Sequence, residues 1–86
     1  MPVTSNGVSV GTAVTQISGP SIKAKYVYVQ NGNDAALVYL GGPEVSADNG
    51  ILASATNTTV FQLNGDDSLF AISDTDATPV KVVEVL

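Results

Sequence analysis

Hydrophobic residues along this chain recur at every second position over several short stretches. The run 58–63 places Phe61 and Leu63 on one side of an extended segment and Val60 on the other, and the run 8–15 alternates in the same way. A period of two is the signature of a β-strand with one face buried, and it is typical of antiparallel sheets. We therefore predict strands over both runs.

Four further runs complete the predicted set of strands. Those at 25–30 and 36–40 are apolar on both faces, as expected of central strands, and 69–73 and 80–85 follow. Between the runs lie turn-forming clusters: Asn6-Gly7, Gly19-Pro20, Asn31-Gly32-Asn33-Asp34, Gly41-Gly42-Pro43, Asp48-Asn49-Gly50, Asn64-Gly65-Asp66-Asp67 and Asp74-Thr75-Asp76. No window shows a helical stripe. The pattern predicts an all-β fold, an antiparallel β-sandwich or flattened barrel of about seven short strands.

The chain is short enough for one domain, which we place at 8–86. The first seven residues, 1–7, contain one large apolar side chain, Val3, among small and polar residues, and we expect an extended N-terminal arm or a frayed end there.

The last predicted strand breaks the regular alternation. Its apolar positions run Val80, Val82 and then shift by one to Val83 and Val85. A shift of one residue turns the inward face outward. Either a β-bulge lies near Val82-Val83, or both faces of this strand are covered.

Composition excludes several classes of function. Among 86 residues there are eight acidic and three basic side chains, a net charge of −5, and neither histidine nor cysteine. The chain therefore has no means of building a zinc finger, a Cys–His or Ser–His nucleophile, or a disulfide. Three lysines cannot neutralise a phosphate backbone, so we expect no nucleic-acid partner. We expect no cofactor, and no catalytic residue is assigned.

No segment of the sequence resembles a signal peptide or a membrane-spanning helix, so we expect synthesis in a cytoplasm and no membrane partner.

Aspartates at 66, 67, 74 and 76 are the densest group of metal-binding side chains. Calcium would need several converging oxygen ligands, whereas aspartate also favours turns for backbone reasons alone. We favour the turn interpretation and assign no metal ligand.

Tyrosines stand out on the central strands. Tyr26 and Tyr28 share one face, opposite Val27 and Val29, and Tyr39 lies on the next strand. Two interpretations remain open: a core whose phenol groups reach the rim, or a contact surface. If the tyrosines form a contact surface, the candidate interaction residues are Val3, Tyr26, Tyr28 and Tyr39.

A short chain without disulfides or metals often needs oligomerisation for stability, so we expect a homo-oligomer.

The order of segments from Tyr26 onward resembles that of small virion proteins of tailed bacteriophages. The carrying motifs are 26–31, the strand end Val38-Tyr39-Leu40-Gly41-Gly42, the loop 45–52 with Asn49-Gly50, and the segments 60–63, 67–72 and 80–85. The chain departs from the pattern at Pro43 and in the loop 53–56, so no contact loop is carried over.

The resemblance implies a non-enzymatic head or tail component. The function expected from it is a capsid decoration or cement protein, located on the outer surface of the virion capsid, bound to the major capsid protein and forming a trimer. Acidic charge disfavours the DNA-filled interior. The alternative is a tail or head-fibre module that recognises host surface glycans. A third interpretation is an enzyme accessory or a free-standing cytoplasmic binding domain.

Overall fold

A computed structural model describes residues 3–19, 25–33, 35–53, 56, 58–64 and 66–85. Within them the chain forms eight β-strands: β1 Val3–Val10, β2 Thr15–Ser18, β3 Lys25–Asn31, β4 Val38–Gly41, β5 Ile51–Ala53, β6 Thr59–Leu63, β7 Leu69–Ser73 and β8 Thr78–Val85. All strand pairs are antiparallel. The described part of the chain contains no α-helix, and none of its segments is a helix long and apolar enough to cross a membrane.

The strands form two four-stranded sheets, which confirms the predicted all-β sandwich. The first sheet has the order β1-β8-β3-β6 and the second the order β2-β7-β4-β5. Consecutive strands β1 and β2, and likewise β3 and β4, lie in different sheets, so the chain crosses repeatedly from one sheet to the other. This arrangement is an eight-stranded jelly roll.

The hydrophobic core lies between the two sheets. The alternating pattern of β3 buries Val27 and Val29 completely, and β8 adds Val80 and Val82 from the same sheet. Leu40, fully buried, faces them from β4. Burying a side chain of this size stabilises the fold by about 1.5–3 kcal/mol. The inner faces of the two sheets therefore supply one continuous core.

Residues 3–7, expected as an arm, form the first half of β1. Val3 to Gly7 pair residue by residue with β8, from Val85 to Lys81.

The strand predicted over 8–15 is also corrected. β1 ends at Val10, the chain turns through 11–14, and β2 begins at Thr15 in the other sheet. The alternation simply continued across the point where the chain changes sheets.

The phase shift in β8 is not caused by a bulge. Val82 and Val83 pair in unbroken register with β1 on one side and β3 on the other. The register shift in the structure lies instead in β2, between Gln16 and Ser18. In β8 the inward series continues from Val82 to Glu84, while Val83 and Val85 face outward and are half-buried.

The described residues form eight strands rather than about seven, and the sequence pattern missed the shortest ones. β5, which pairs with β4, spans only three residues and follows the turn-forming cluster Asp48-Asn49-Gly50 directly. β2 spans four residues and contains the register shift. Strands this short carry too little alternation to be recognised alone.

Candidate interaction surface

The outward face of the first sheet carries a cluster of apolar side chains. Tyr26 and Tyr28 alternate with the buried valines of β3, so both rings point away from the core. They are 48% and 38% exposed. We call the whole cluster the tyrosine–valine face; it consists of Val3, Tyr26, Tyr28, Val60, Val83 and Val85.

Strand register brings these residues together from four separate strands. Tyr26 lies opposite Val85 of β8, which in turn lies opposite Val3 of β1. One step along the sheet, Tyr28 lies between Val83 of β8 and Val60 of β6. Cross-strand pairs of aromatic and β-branched residues each contribute roughly 0.2–1 kcal/mol. The surface is therefore an ordered ladder, in which Val3 and Val60 remain 62% and 50% exposed.

Charge is nearly absent from this side of the molecule. In β1, β3, β6 and β8 the outward positions include one charged residue, Lys81, which pairs in register with Gly7 and Gln30. The carboxylates of Glu44, Asp48, Asp66, Asp67, Asp74 and Asp76 lie in the connections between strands. A chain of net charge −5 thus presents an apolar sheet face that carries no carboxylate.

Of the four predicted interaction residues, three share this face and one does not. Val3, Tyr26 and Tyr28 lie on the first sheet, whereas Tyr39 lies on β4 of the second, opposite Leu52 and Ile72. Tyr39 is half-buried, because the loop between β4 and β5 folds against it. The outer face of β4 is therefore partly covered by the chain's own loop.

A polar cluster that the sequence analysis missed lies inside the sandwich. Nζ of Lys25, on β3, donates to Oε2 of Glu84, on β8, at 2.6 Å and to the carbonyl oxygen of Gly19. The hydroxyl of Ser18, on β2, donates to the same Oε2 at 2.5 Å. The Lys25 side chain is only 4% exposed. The cluster therefore connects both sheets through one carboxylate.

The environment of Glu84 favours its charged form. Partial burial raises the pKa of the carboxyl, but the hydrogen bonds from Lys25 and Ser18, together with the lysine charge, outweigh it. The net result is a pKa below the ordinary value of 4.5. The sequence carried a signal: both charged residues occupy inward positions of otherwise apolar strands.

Three of the four aspartates considered as metal ligands accept hydrogen bonds at turns. Asp67 Oδ2 accepts the backbone N–H of Asn64, and Asp74 Oδ1 accepts that of Leu37. Asp76 Oδ1 accepts the hydroxyl of Thr12 at 3.3 Å. The described residues contain no group of three or more acidic side chains placed to hold a metal ion.

An open groove lies at the end of the sandwich where β4 ends and β6 connects to β7. Its volume is about 620 Å³, and its lining includes Pro43, Phe61, Asp66, Asp67 and Phe70. Two aromatic rings and two carboxylates thus lie around one depression, although Asp67 is already engaged by the turn.

Comparison with known proteins gives the fold. No protein-family model matches the sequence, and no curated protein is similar to it. Among solved structures, the chain is similar to a protein of Bacillus endospore appendages, described as a novel family of disulfide-linked pili. The TM-score is 0.56 at 11% sequence identity, over 96% of this chain and 83% of the other. At this identity the likeness shows a shared architecture.

Proposed function

We propose that this chain is a non-enzymatic structural protein that decorates the outer surface of a tailed-bacteriophage capsid by binding the major capsid protein. The observation that carries the proposal is the tyrosine–valine face. Protein interfaces are enriched in aromatic residues and depleted of charge at their centres. This face has two tyrosines at its middle and valines around them, and Lys81 is the charged residue on the outward side of the same strands.

The electrostatics favour a position outside the shell. The net charge of −5 would be repelled by packaged DNA. The tyrosine–valine face, by contrast, can dock on a protein surface without burying an unpaired carboxylate, a burial that would oppose binding. The carboxylates of the connections between strands then remain in solvent.

The architecture supports a structural role in general. Jelly rolls occur in viral capsid domains and in lectins, so fold analogy alone does not choose between them. The similar appendage protein belongs to disulfide-linked pili. This chain has no cysteine, so disulfides cannot link its copies, and we infer that its contacts depend on surfaces such as the tyrosine–valine face.

The test is binding to assembled shells. Capsids from a phage in which this coding sequence is deleted are mixed with purified protein and sedimented. We expect saturable co-sedimentation and a higher melting temperature of the decorated shell, because a ligand of the assembled state stabilises it by mass action. Failure of the wild-type protein to co-sediment would contradict the proposal.

Paired variants locate the contact. Tyr26→Ser with Tyr28→Ser should weaken shell binding at least tenfold, since aromatic anchors dominate binding energy at interfaces. The matched control is Leu37→Ser, which removes an apolar side chain of similar exposure from the connection between β3 and β4. Equal binding by the two variants would place the contact elsewhere.

A second candidate function, recognition of host surface glycans, is favoured by the groove that contains Phe61 and Phe70. Aromatic rings stack on sugar faces, and carboxylates accept hydroxyl hydrogen bonds. Asp66→Asn and Phe70→Ala would abolish glycan binding measured on an array of bacterial surface polysaccharides. The same substitutions would leave shell co-sedimentation unchanged if decoration is the function.

A further inference from the structure

The edges of the two sheets differ in how well they are protected against pairing with another strand. The second sheet ends in β2, four residues with a register shift, and β5, three residues. Short or bulged edges are common protection against edge-to-edge association. In the first sheet the edges are β6, five residues, and β1, eight residues.

Three of the usual protective features are absent from β1. It contains no charged residue and no proline, and its register with β8 is continuous from Val3 to Val10. In the described part of the chain β1 pairs on one side alone, with β8. A long, uncharged edge without a register shift leaves backbone N–H and C=O groups available to a further strand.

We propose that β1 pairs with β1 of a second copy of this chain, in antiparallel orientation about a two-fold axis perpendicular to the sheet. The pairing joins two four-stranded sheets into one of eight strands. It goes beyond the proposed function, because it concerns the edge of the sheet rather than its face.

A second copy offers an edge that matches this one by symmetry, because a contact about a two-fold axis uses the same self-complementary surface on both chains. Two chains of net charge −5 repel each other, and they approach best through surfaces without carboxylates. β1 is uncharged, and its outward neighbour on β8 is Lys81, opposite Gly7. Pairing also places the two tyrosine–valine faces on the same side of one larger sheet, because an axis perpendicular to the sheet keeps outward residues outward.

We place the axis at the middle of the exposed part of β1. Val3 to Ser9 are each at least partly exposed, whereas Val10 is completely buried. The midpoint of that stretch is Asn6. With the axis at Asn6, that residue lies opposite Asn6 of the second copy, and Val3 lies opposite Ser9 of the second copy. Inward residues then face inward in both copies, as the pleat requires.

Single cysteines test this register, because the chain has no other thiol. Opposed residues of antiparallel strands have Cα atoms about 4.5–5.5 Å apart, within the range that a disulfide bridges. Under mild oxidation Asn6→Cys should form disulfide-linked dimers. Ser9→Cys is the matched control in the same strand. Ser9 of one copy and Ser9 of the other lie six residues apart along the paired strands, about 20 Å at ~3.3 Å per residue, which is too far for a disulfide. Mixing Val3→Cys with Ser9→Cys should restore cross-linking.

Sedimentation completes the test. The contact is small, so we expect wild-type protein to dimerise as concentration rises and salt to favour the dimer. Ser5→Lys adds a charge to the exposed edge and should leave a monomer with an unchanged β-sheet circular dichroism spectrum. The proposal is overturned if Asn6→Cys and Ser9→Cys cross-link equally, if the wild type stays monomeric at every concentration, or if it forms the trimer that the phage resemblance implies. Failure to bind shells would leave the cross-linking pattern intact, so the two proposals fail separately.

Discussion

Nζ of Lys25 lies 2.6 Å from Oε2 of Glu84 inside the end of the sandwich, on two neighbouring strands of one sheet. This ion pair accounts for the broken alternation of β8. The inward position after Val82 is occupied by Glu84, which finds a buried cation there instead of an apolar neighbour. The apparent shift to Val83 and Val85 is the outward face of the strand, which joins the tyrosine–valine face.

Lys25→Met should destabilise the protein by about 3 kcal/mol, the low end for breaking a buried pair, because Glu84 keeps some contact with water. The side chains of Lys25 and Glu84 are 4% and 20% exposed. The double variant Lys25→Met with Glu84→Leu should recover most of the loss, since replacing both partners by apolar groups is often neutral. Urea unfolding monitored by circular dichroism measures both.

Lys81→Met is the matched control for the buried lysine. Lys81 lies at an exposed outward position of β8, so its substitution should change the free energy of unfolding by no more than about 0.5 kcal/mol. Equal effects of Lys25→Met and Lys81→Met would show that the buried ion pair contributes nothing to stability.

Acid should weaken the fold through Glu84. Its pKa is lowered in the folded protein, so the unfolded chain binds the proton more tightly. The resulting stabilisation is fully present above the unfolded value of 4.5 and is lost as the pH falls through the lower folded pKa. We expect the melting temperature of the wild type to fall over this acidic range.

Glu84→Gln isolates the contribution of this one carboxyl to the acid response. The variant should be less stable than the wild type at neutral pH, and the difference between their melting temperatures should shrink as the wild-type carboxyl is protonated. A difference that stays constant from neutral to acidic pH would show that Glu84 does not titrate with a lowered pKa.

The fold class could be read from the sequence because it depends on local features. Alternation in 25–30 and 58–63 and the Gly- and Asn-rich turns are sufficient to predict antiparallel strands. The sequence pattern did not predict which of the two sheets each strand belongs to. The run 8–15 alternates without interruption although the chain changes sheets in its middle, and only long-range pairing distinguishes β1 from β2.

The candidate surface was predicted in part for the same reason. Tyr26 and Tyr28 share a face by position along one strand, which the sequence shows directly. Val3 lies on the same face because β8 pairs with both β1 and β3. Tyr39 lies on the other sheet, because the chain changes sheets between β3 and β4. The shared inward position of Lys25 and Glu84 was visible in the alternation, but their contact required knowing that β3 and β8 are neighbours.

Leu40 should be among the most sensitive positions of the core. It is the largest fully buried side chain among the residues that the structure describes, and truncating it leaves a cavity between the sheets. Leu40→Ala should cost about 2–5 kcal/mol in free energy of unfolding, from lost burial and unfilled volume. Leu52→Ala is the control, because Leu52 is 51% exposed on β5, and there we expect a change within about 0.5 kcal/mol. Similar losses in chemical denaturation would argue against the core described here.

Gly50 holds the loop between β4 and β5 against Tyr39. Its N–H donates to the carbonyl oxygen of Ser46 at 2.9 Å. A Cβ at this position would lie 2.6 Å from Cβ of Tyr39 and 2.8 Å from Cγ2 of Val45. Gly50→Ala should therefore destabilise the protein by about 1–3 kcal/mol, since the packed side chains would have to move.

Gly42, in the same loop, provides the control for Gly50. A Cβ at Gly42 would meet no atom within 4 Å. Gly42→Ala should be neutral or stabilising by up to about 1 kcal/mol, because it reduces the conformational freedom of the unfolded chain. Thermal unfolding of the two variants measures the difference. The loop would be shown not to pack on Tyr39 if Gly50→Ala were as well tolerated as Gly42→Ala, and the outer face of β4 would then be open to a partner.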